Sequence, residues 1–439
     1  MLIQFSFSNF RSFRQEQTFS MEVENDKYNL EPTFEIITRD GKALRLLNAA
    51  IVYGPNASGK SNFIRALFTL RKLVIYSGKF QVGENIEDYE PFKFDTVSPK
   101  KPTSFQIEFI TGKNKVRHRY RIEFDREEII HESLDYFPKG QPANLFTRSN
   151  KMVDEEGFHV VKTPPENLKD QRGMKKIVLK NQLFLSKFGT DPHAQLTPIF
   201  KYFKDMEIWN VSEQSKLNLL KRLLTKELML PENEALKRRI GKLVKIADTK
   251  IEDISIREAA EGEFKFPETF PDTLKRKIIE DNKDRVFAQH KVYENGRVVR
   301  EVEHDMDDES AGTNILYALG GLILKKLEQG GLIVFDELDN SLHPKLARFL
   351  IKLFNHPTTN RHNAQIICAS HEVLLLDKEL FRKDQIWITD KNKYGVSEMT
   401  RVSDFEGVRE DVPFDKWYMA GKFGGQPTIK ELEFIFDHA

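Results

Sequence analysis

The run Leu46-Leu47-Asn48-Ala49-Ala50-Ile51-Val52-Tyr53, followed by Gly54-Pro55-Asn56-Ala57-Ser58-Gly59-Lys60-Ser61, decides the fold of this chain. The second half reads GxxxxGKS, the pattern of a phosphate-cradling loop. A mostly apolar strand pattern leads in, and a helical pattern from Asn62 to Leu73 leads out. In that strand–loop–helix context, backbone N–H groups of the loop and of the helix N-terminus converge on anionic oxygens. The candidate nucleotide contacts are Gly54, Pro55, Asn56, Ala57, Ser58, Gly59, Lys60, Ser61 and Asn62. Lys60 is placed to meet the β- and γ-phosphates, and Ser61 to hold Mg2+. The spacing predicts a binder of a nucleoside triphosphate; the bland alternative is a plain Gly-rich turn.

Such a loop needs an acidic partner at the end of a neighbouring strand. Asp336-Glu337 follows the continuous apolar run Leu332-Ile333-Val334-Phe335, a pattern of buried parallel strands. Asp336 is the candidate Mg2+ ligand, and Glu337 the candidate base that orients or deprotonates the attacking water. His371 follows another buried run, Ala364 to Ala369, where a polar side chain can reach a γ-phosphate. Out of context a lone histidine reads as solvated. Ser310-Ala311-Gly312-Thr313 opens an apolar helix, Ile315 to Leu327. Ser310 suits a helix cap, and Gly312 permits close backbone approach. The bland reading stops there; the sharper one makes Ser310 and Gly312 an anion site for a phosphate held by a second copy.

Working outward, the length of 439 residues suggests two or three lobes. Strand patterns fill Tyr89 to Phe137, which predicts an antiparallel lobe, and residues 138 to 175 read as irregular hairpins. From Pro192 to Ile251 the pattern is helical, with Leu217, Leu220, Leu224 and Leu228 on one stripe. Lys237, Arg238, Arg239, Lys242 and Lys245 line the far face of the next helix, either as a solvated face or as a phosphate-backbone surface. The order β–loop–α and then β–α–β predicts an α/β fold with a parallel sheet. We divide the chain into 1–190 (loop plus β lobe), 191–252 (helical insertion), 253–400 (second half of the nucleotide site) and 401–439 (extension).

Composition sets further bounds. Net charge is +1, so no global charge argues for nucleic acid. The single cysteine, Cys368, excludes an intramolecular disulfide and a cysteine-rich zinc site. No apolar run suits a bilayer span, and MLIQFSFSNFRSF lacks a signal-peptide core, so a soluble cytoplasmic protein without membrane partners is expected. The 34 phenylalanines sit mostly in alternating strand patterns and read as core rather than base-stacking residues.

Together these residues resemble the ABC-type ATPases of the SMC, RecF and OLD branch, over roughly residues 1–75 and 305–390. Asn9-Phe10-Arg11-Ser12-Phe13 is similar to the branch's N-terminal strand–turn signature, which implies Asn9 and Arg11 beside the nucleotide. GPNASGKSN resembles its Walker A, Ser310-Ala311-Gly312 its short signature, Leu332 to Glu337 its Walker B, and His371 its switch histidine. The resemblance implies an ABC-type head with an antiparallel β lobe and a short helical insertion, using ATP and Mg2+. It also implies a Q-loop glutamine, for which Gln182 is chosen over Gln106. Within the branch, Asp336-Glu337-Leu338-Asp339-Asn340-Ser341-Leu342-His343-Pro344 and Tyr418 to Pro427 resemble the compact RloA/AriA-like ATPases of prokaryotic defence. Leu342-His343-Pro344 replaces the D-loop aspartate of many relatives, and 401–439 is too short for the nuclease-like module of OLD proteins.

That resemblance implies a homodimer or higher homo-oligomer with ATP at its interface, Lys60 of one copy facing Ser310 and Gly312 of the other. It implies a sensor that controls a partner effector nuclease. The rivals are a RecF-like repair ATPase that binds nucleic acid, and an ATP-binding scaffold.

Overall fold

The structure is a computed structural model. It describes residues 1–24, 27–112, 114–247, 250–259, 263–264, 266–267, 269–340 and 342–426. Of the motif residues quoted above, Ser341 and Pro427 lie outside them.

In chain order the elements are β1 (Leu2–Ser8), β2 (Gln17–Ser20), β3 (Thr33–Ile37), β4 (Ala43–Leu47), β5 (Ala49–Tyr53), α1 (Lys60–Tyr76), β6 (Thr103–Thr111), β7 (Val116–Phe124), β8 (Ile129–Tyr136), β9 (Ala143–Ser149), β10 (His159–Val160), β11 (Ile177–Val178), α2 (Leu196–Lys204) and β12 (Glu207–Asn210). Then follow α3 (Gln214–Leu228), α4 (Glu234–Ala247), β13 (Ile251–Glu258), α5 (Asp272–Asp281), β14 (Asp284–Glu294), β15 (Arg297–Asp305), α6 (Ala311–Gln329), β16 (Leu332–Asp336), α7 (Pro344–Asn355), β17 (Gln365–Ser370), β18 (Ile386–Lys391), β19 (Ser397–Arg401) and α8 (Phe414–Met419). They form two compact units, one of Met1–Ile208, Gly330–Asp336 and Ile351–Ala439, the other of Trp209–Gln329 and Glu337–Leu350.

The first unit holds two large sheets and the two-stranded pairs β3–β4 and β10–β11. One runs β16–β17–β5–β18–β19, parallel from β16 to β18 and antiparallel at β19. β5, β16 and β17 are buried at every position, as their unbroken apolar runs require. The other sheet runs β2–β1–β6–β7–β8–β9 and is antiparallel throughout. Helix α1 buries Phe63, Ile64, Ala66, Leu67, Leu70, Leu73 and Val74. Those side chains share one core with Phe5, Phe7 and Ile107 of the antiparallel sheet and with Val52, Val334 and Ile367 of the parallel sheet. The ring centroids of Phe19 and Phe63 lie 4.9 Å apart, so the phenylalanines of the alternating strands fill this core.

The second unit pairs helices with the antiparallel sheet β13–β14–β15. The leucine stripe of α3 and the apolar face of α4 (Leu236, Ile240, Leu243, Val244) are buried. A side chain at Gly320 would collide with Leu243, and one at Gly321 with Leu224. The paired glycines of α6 therefore let both helices approach it closely. The basic face of α4 is largely neutralised: Arg239 pairs with Glu328, Lys245 with Glu252 at 2.6 Å, and Lys237 with Glu234 at 3.6 Å.

The segment 191–252, expected as one helical insertion, is divided between the units at Ile208. α2 buries Leu196, Ile199 and Phe203 in the core of the first unit, with Tyr202 stacked on Phe109 at 4.2 Å. Its apolar face matches the β lobe, whereas those of α3 and α4 lie with α6. The segment 253–400 is split as well, with β13–β15 and α6 in the second unit and β16–β19 in the first.

Candidate nucleotide site

The loop Gly54–Gly59 joins β5 to α1, as the sequence pattern requires. Gly54 passes so close to β18 that a Cβ would run into the carbonyl and hydroxyl oxygens of Thr389. The Thr389 hydroxyl also meets Ser58 Oγ at 2.6 Å, which ties the loop's buried serine to the sheet. Gly59 has φ +127°, and a Cβ there would stand 2.9 Å from both Phe13 and Ser397. Ala57 holds φ +64°, a left-handed conformation that non-glycine residues keep only when their surroundings enforce it. Lys60 Nζ donates to the carbonyls of Gly54 at 2.7 Å and Pro55 at 3.0 Å, closing the loop across its mouth.

Ser61 Oγ donates to Asp336 Oδ1 at 3.1 Å. Both belong to the first unit, and Asp336 is 4 % exposed. Strand β17 lies between β5 and β16, so the acid stands two strands from the loop strand and His371 directly follows the strand between them. A hydroxyl and a carboxylate oxygen at this separation fit a Mg2+ ion, which takes few protein oxygens and completes its shell with phosphate and water. Among the described residues no cluster of three or more His, Cys, Asp or Glu forms a metal cage. Ser61 and Asp336 would hold the ion, and bound Mg2+ would neutralise developing charge on the β- and γ-oxygens.

The turn Asn9–Phe13 braces the loop helix. Arg11 Nη1 donates to Asn62 Oδ1 at 3.0 Å, and Asn62 Nδ2 donates to Ser12 Oγ at 2.7 Å. Arg11 also pairs with Glu90 at 3.2 Å, so it stands at the first turn of α1. Asn9 is deeper: its amide donates to the carbonyls of Ser98 and Lys101 and accepts from the Phe92 N–H. Those bonds make Asn9 a lock on the turn. Gln182 is a correction to the expected Q-loop. Its amide donates to the carbonyls of Phe80 (2.8 Å) and Gly78 (3.4 Å), just past the C-terminal end of α1. A helix of 17 residues spans about 25 Å, so Gln182 is a helix length from the phosphates.

A cleft of about 640 Å³ opens beside the loop, lined by Tyr53 to Ser58, His371, Asp390, Tyr418 and Gln426. His371 is exposed, and its backbone carbonyl accepts from the Tyr53 hydroxyl. No local pattern assigns a role to Tyr53, Thr389 or Tyr418; long-range packing brings them to the loop.

In the second unit Ser310 caps α6, accepting the Thr313 N–H at 3.1 Å, with Gly312 in the first turn behind it. Asn314 donates to the Met306 carbonyl at 2.6 Å and accepts from Lys221 at 2.7 Å, which fixes that turn. Glu337 adopts φ +58°, and its carboxylate accepts from Ser212 Oγ. Ser212, unremarked in the sequence, anchors the candidate base.

The family model described as "AAA domain, putative AbiEii toxin, Type IV TA system" matches residues 49–177 and 148–377, well over half of the chain. The chain belongs to this AAA-domain family. AAA-domain membership supports ATP binding and hydrolysis at the loop. No curated protein matches the chain. Among solved structures it is similar to an SMC head domain from Thermotoga maritima (12 % identity, 91 % of this chain and 98 % of that chain, TM-score 0.39). It is also similar to an Smc head domain from Pyrococcus furiosus, solved with an extended coiled coil and bound to the C-terminal domain of ScpA (13 % identity, 91 % and 95 % coverage, TM-score 0.41). No helix among the described residues of this AAA-domain chain is long and apolar enough to cross a membrane.

Proposed function

We propose that this AAA-domain chain is an ABC-type switch ATPase. Two copies close head to tail on ATP and Mg2+, with Lys60 and Ser61 of one copy facing Ser310 and Gly312 of the other. Symmetry gives two such sites per dimer. Glu337 takes a proton from water as its oxygen attacks the γ-phosphorus, the bond to the β-phosphate oxygen breaks, and the pair reopens. ATP does mechanical work here through its greater affinity for the closed state.

The observation that carries this reading is the Ser61–Asp336 contact, which joins the loop to the acid that a Mg2+-dependent ATPase requires. The family's description as a toxin of a type IV toxin–antitoxin system supports a second layer. In it the switch serves a prokaryotic antiphage system of the RloA/AriA kind and controls an effector nuclease. Ion pairs engage Lys237, Arg239 and Lys245 of α4, which weakens the RecF-like DNA-binding reading.

Size exclusion with light scattering tests the switch, on wild type and Glu337→Gln, each with and without ATP and Mg2+. The proposal expects Glu337→Gln to associate only with ATP and to turn over roughly a hundredfold or more slower, the range for loss of a general base. Association that ignores ATP would return the chain to the scaffold reading.

A further inference from the structure

The C-terminal segment Phe414–Gln426 has no part in the switch described above, yet it stands against the nucleotide loop. Tyr418 of α8 meets Tyr53 edge to face, with ring centroids 4.7 Å apart and planes at 84°. Tyr53 ends the strand that leads into the loop, and its hydroxyl donates to the backbone carbonyl of His371. The Tyr418 hydroxyl donates to the Gly425 carbonyl, and the Gln426 amide donates back to the Tyr418 carbonyl, so the segment closes on itself.

Gly425 lets that closed segment rest on the loop. Its φ is +64°, and a Cβ there would stand 3.0 Å from Ile388, 3.2 Å from the Thr389 carbonyl and 3.6 Å from Pro55. Tyr418 and Gln426 share the cleft with Gly54 to Ser58 and His371. Burial, then the neighbouring charge of Asp390, raises the Tyr418 phenol above its usual range.

We infer that Tyr418 is a positioning residue of the nucleotide site: it fixes the Tyr53 ring, whose hydroxyl sets the His371 backbone, and so holds His371 toward the γ-phosphate. The inference rests on the ATPase reading proposed above. Tyr418 touches no reacting atom; it acts through Tyr53. An error of about 1 Å in placing a catalytic group costs up to roughly a hundredfold in rate. Removing this brace therefore lowers turnover and leaves ground-state binding in place.

The experiment measures ATP turnover, fluorescent-nucleotide affinity and melting temperature for wild type, Lys60→Ala, Tyr418→Ala, Tyr418→Phe and Tyr53→Phe. Tyr418→Ala and Tyr53→Phe are expected to lose roughly ten- to a hundredfold in kcat. Their nucleotide affinity stays within about twofold, the signature of an interaction made in the transition state. Tyr418→Phe keeps the edge-to-face ring and restores most of the rate. The double variant Tyr418→Ala/Tyr53→Phe loses no more than either single change, because both act on one path. Unchanged kcat in Tyr53→Phe overturns the inference even if Tyr418→Ala fails to fold. So does a fall in kcat matched by an equal fall in affinity. Wild-type turnover no higher than that of Lys60→Ala overturns the ATPase reading itself, and this inference with it.

Discussion

Ser61 Oγ stands 3.1 Å from Asp336 Oδ1, joining the first turn of α1 to the carboxyl end of β16. The strand between them, β17, ends at Ser370, one residue before His371. Loop hydroxyl, acid and histidine thus come from three neighbouring strand ends, the place where open parallel sheets bind ligands. Asp336→Asn keeps the size of the side chain and removes its charge. We expect Mg2+-dependent ATP turnover to fall roughly ten- to a hundredfold, the worth of a charge-assisted contact. A Mg2+ titration of turnover checks this, and a wild-type titration curve in the variant would refute the assignment.

Gly54→Ala places a methyl group on the Thr389 backbone carbonyl, which cannot move aside without disturbing β18. Small-to-large changes of this kind typically cost about 1–3 kcal/mol. The expected outcome is loss of nucleotide binding, read by fluorescent-nucleotide titration, with a lowered melting temperature. Gly83→Ala is the control, since nothing lies within 4 Å of its position, although its φ of +78° carries a small strain of its own.

Arg148 and Glu132 form an ion pair at 3.1 Å inside the β lobe, with both side chains fully buried. Glu132 also accepts from the Tyr120 hydroxyl at 2.8 Å and from the backbone N–H groups of Phe184 and Leu185. Arg148→Met strands that carboxylate and is expected to destabilise by about 3–5 kcal/mol. Denaturant unfolding of the variant, and of Arg148→Met/Glu132→Gln, measures it; the double variant should recover part of the loss.

His118 is buried against Phe109, and burial holds its pKa down to about 4, from an ordinary 6.5. The folded protein refuses a proton that the unfolded chain accepts. Stability is therefore intact above pH 6.5 and falls as pH drops toward 4, by up to about 3 kcal/mol. His118→Phe should flatten that part of the profile. Denaturation midpoints of both proteins between pH 7 and 4 decide it, and parallel profiles would remove His118 as a cause.

The strands and helices that carry the nucleotide site were legible because each has a local cause. β5, β16 and β17 are buried at every position, and their inner runs Ala49–Tyr53, Leu332–Phe335 and Ile366–Ala369 carry no charged or amide side chain. The helix after the loop begins where its glycine requires, at Lys60, and the Ser310 cap is a short-range bond readable from Ser-x-x-Thr. Gln182 was misplaced because a Q-loop position depends on which end of α1 the chain returns to, a long-range fact. Asn9 reads the same in sequence whether its amide faces a ligand or the carbonyls of Ser98 and Lys101.

By itself the sequence determined the phosphate loop, the acid at the end of β16, the α/β alternation and the antiparallel lobe, since these follow from period, glycine geometry and nearest neighbours. Tertiary structure alone decided that Ser61 meets Asp336, that 191–252 divides between two units, and that Tyr418 braces Tyr53 beside His371. The two contacts join residues hundreds of positions apart, and the division follows from which core each helix packs on. Which apolar face meets which core is settled by packing the whole chain, and no local pattern encodes it.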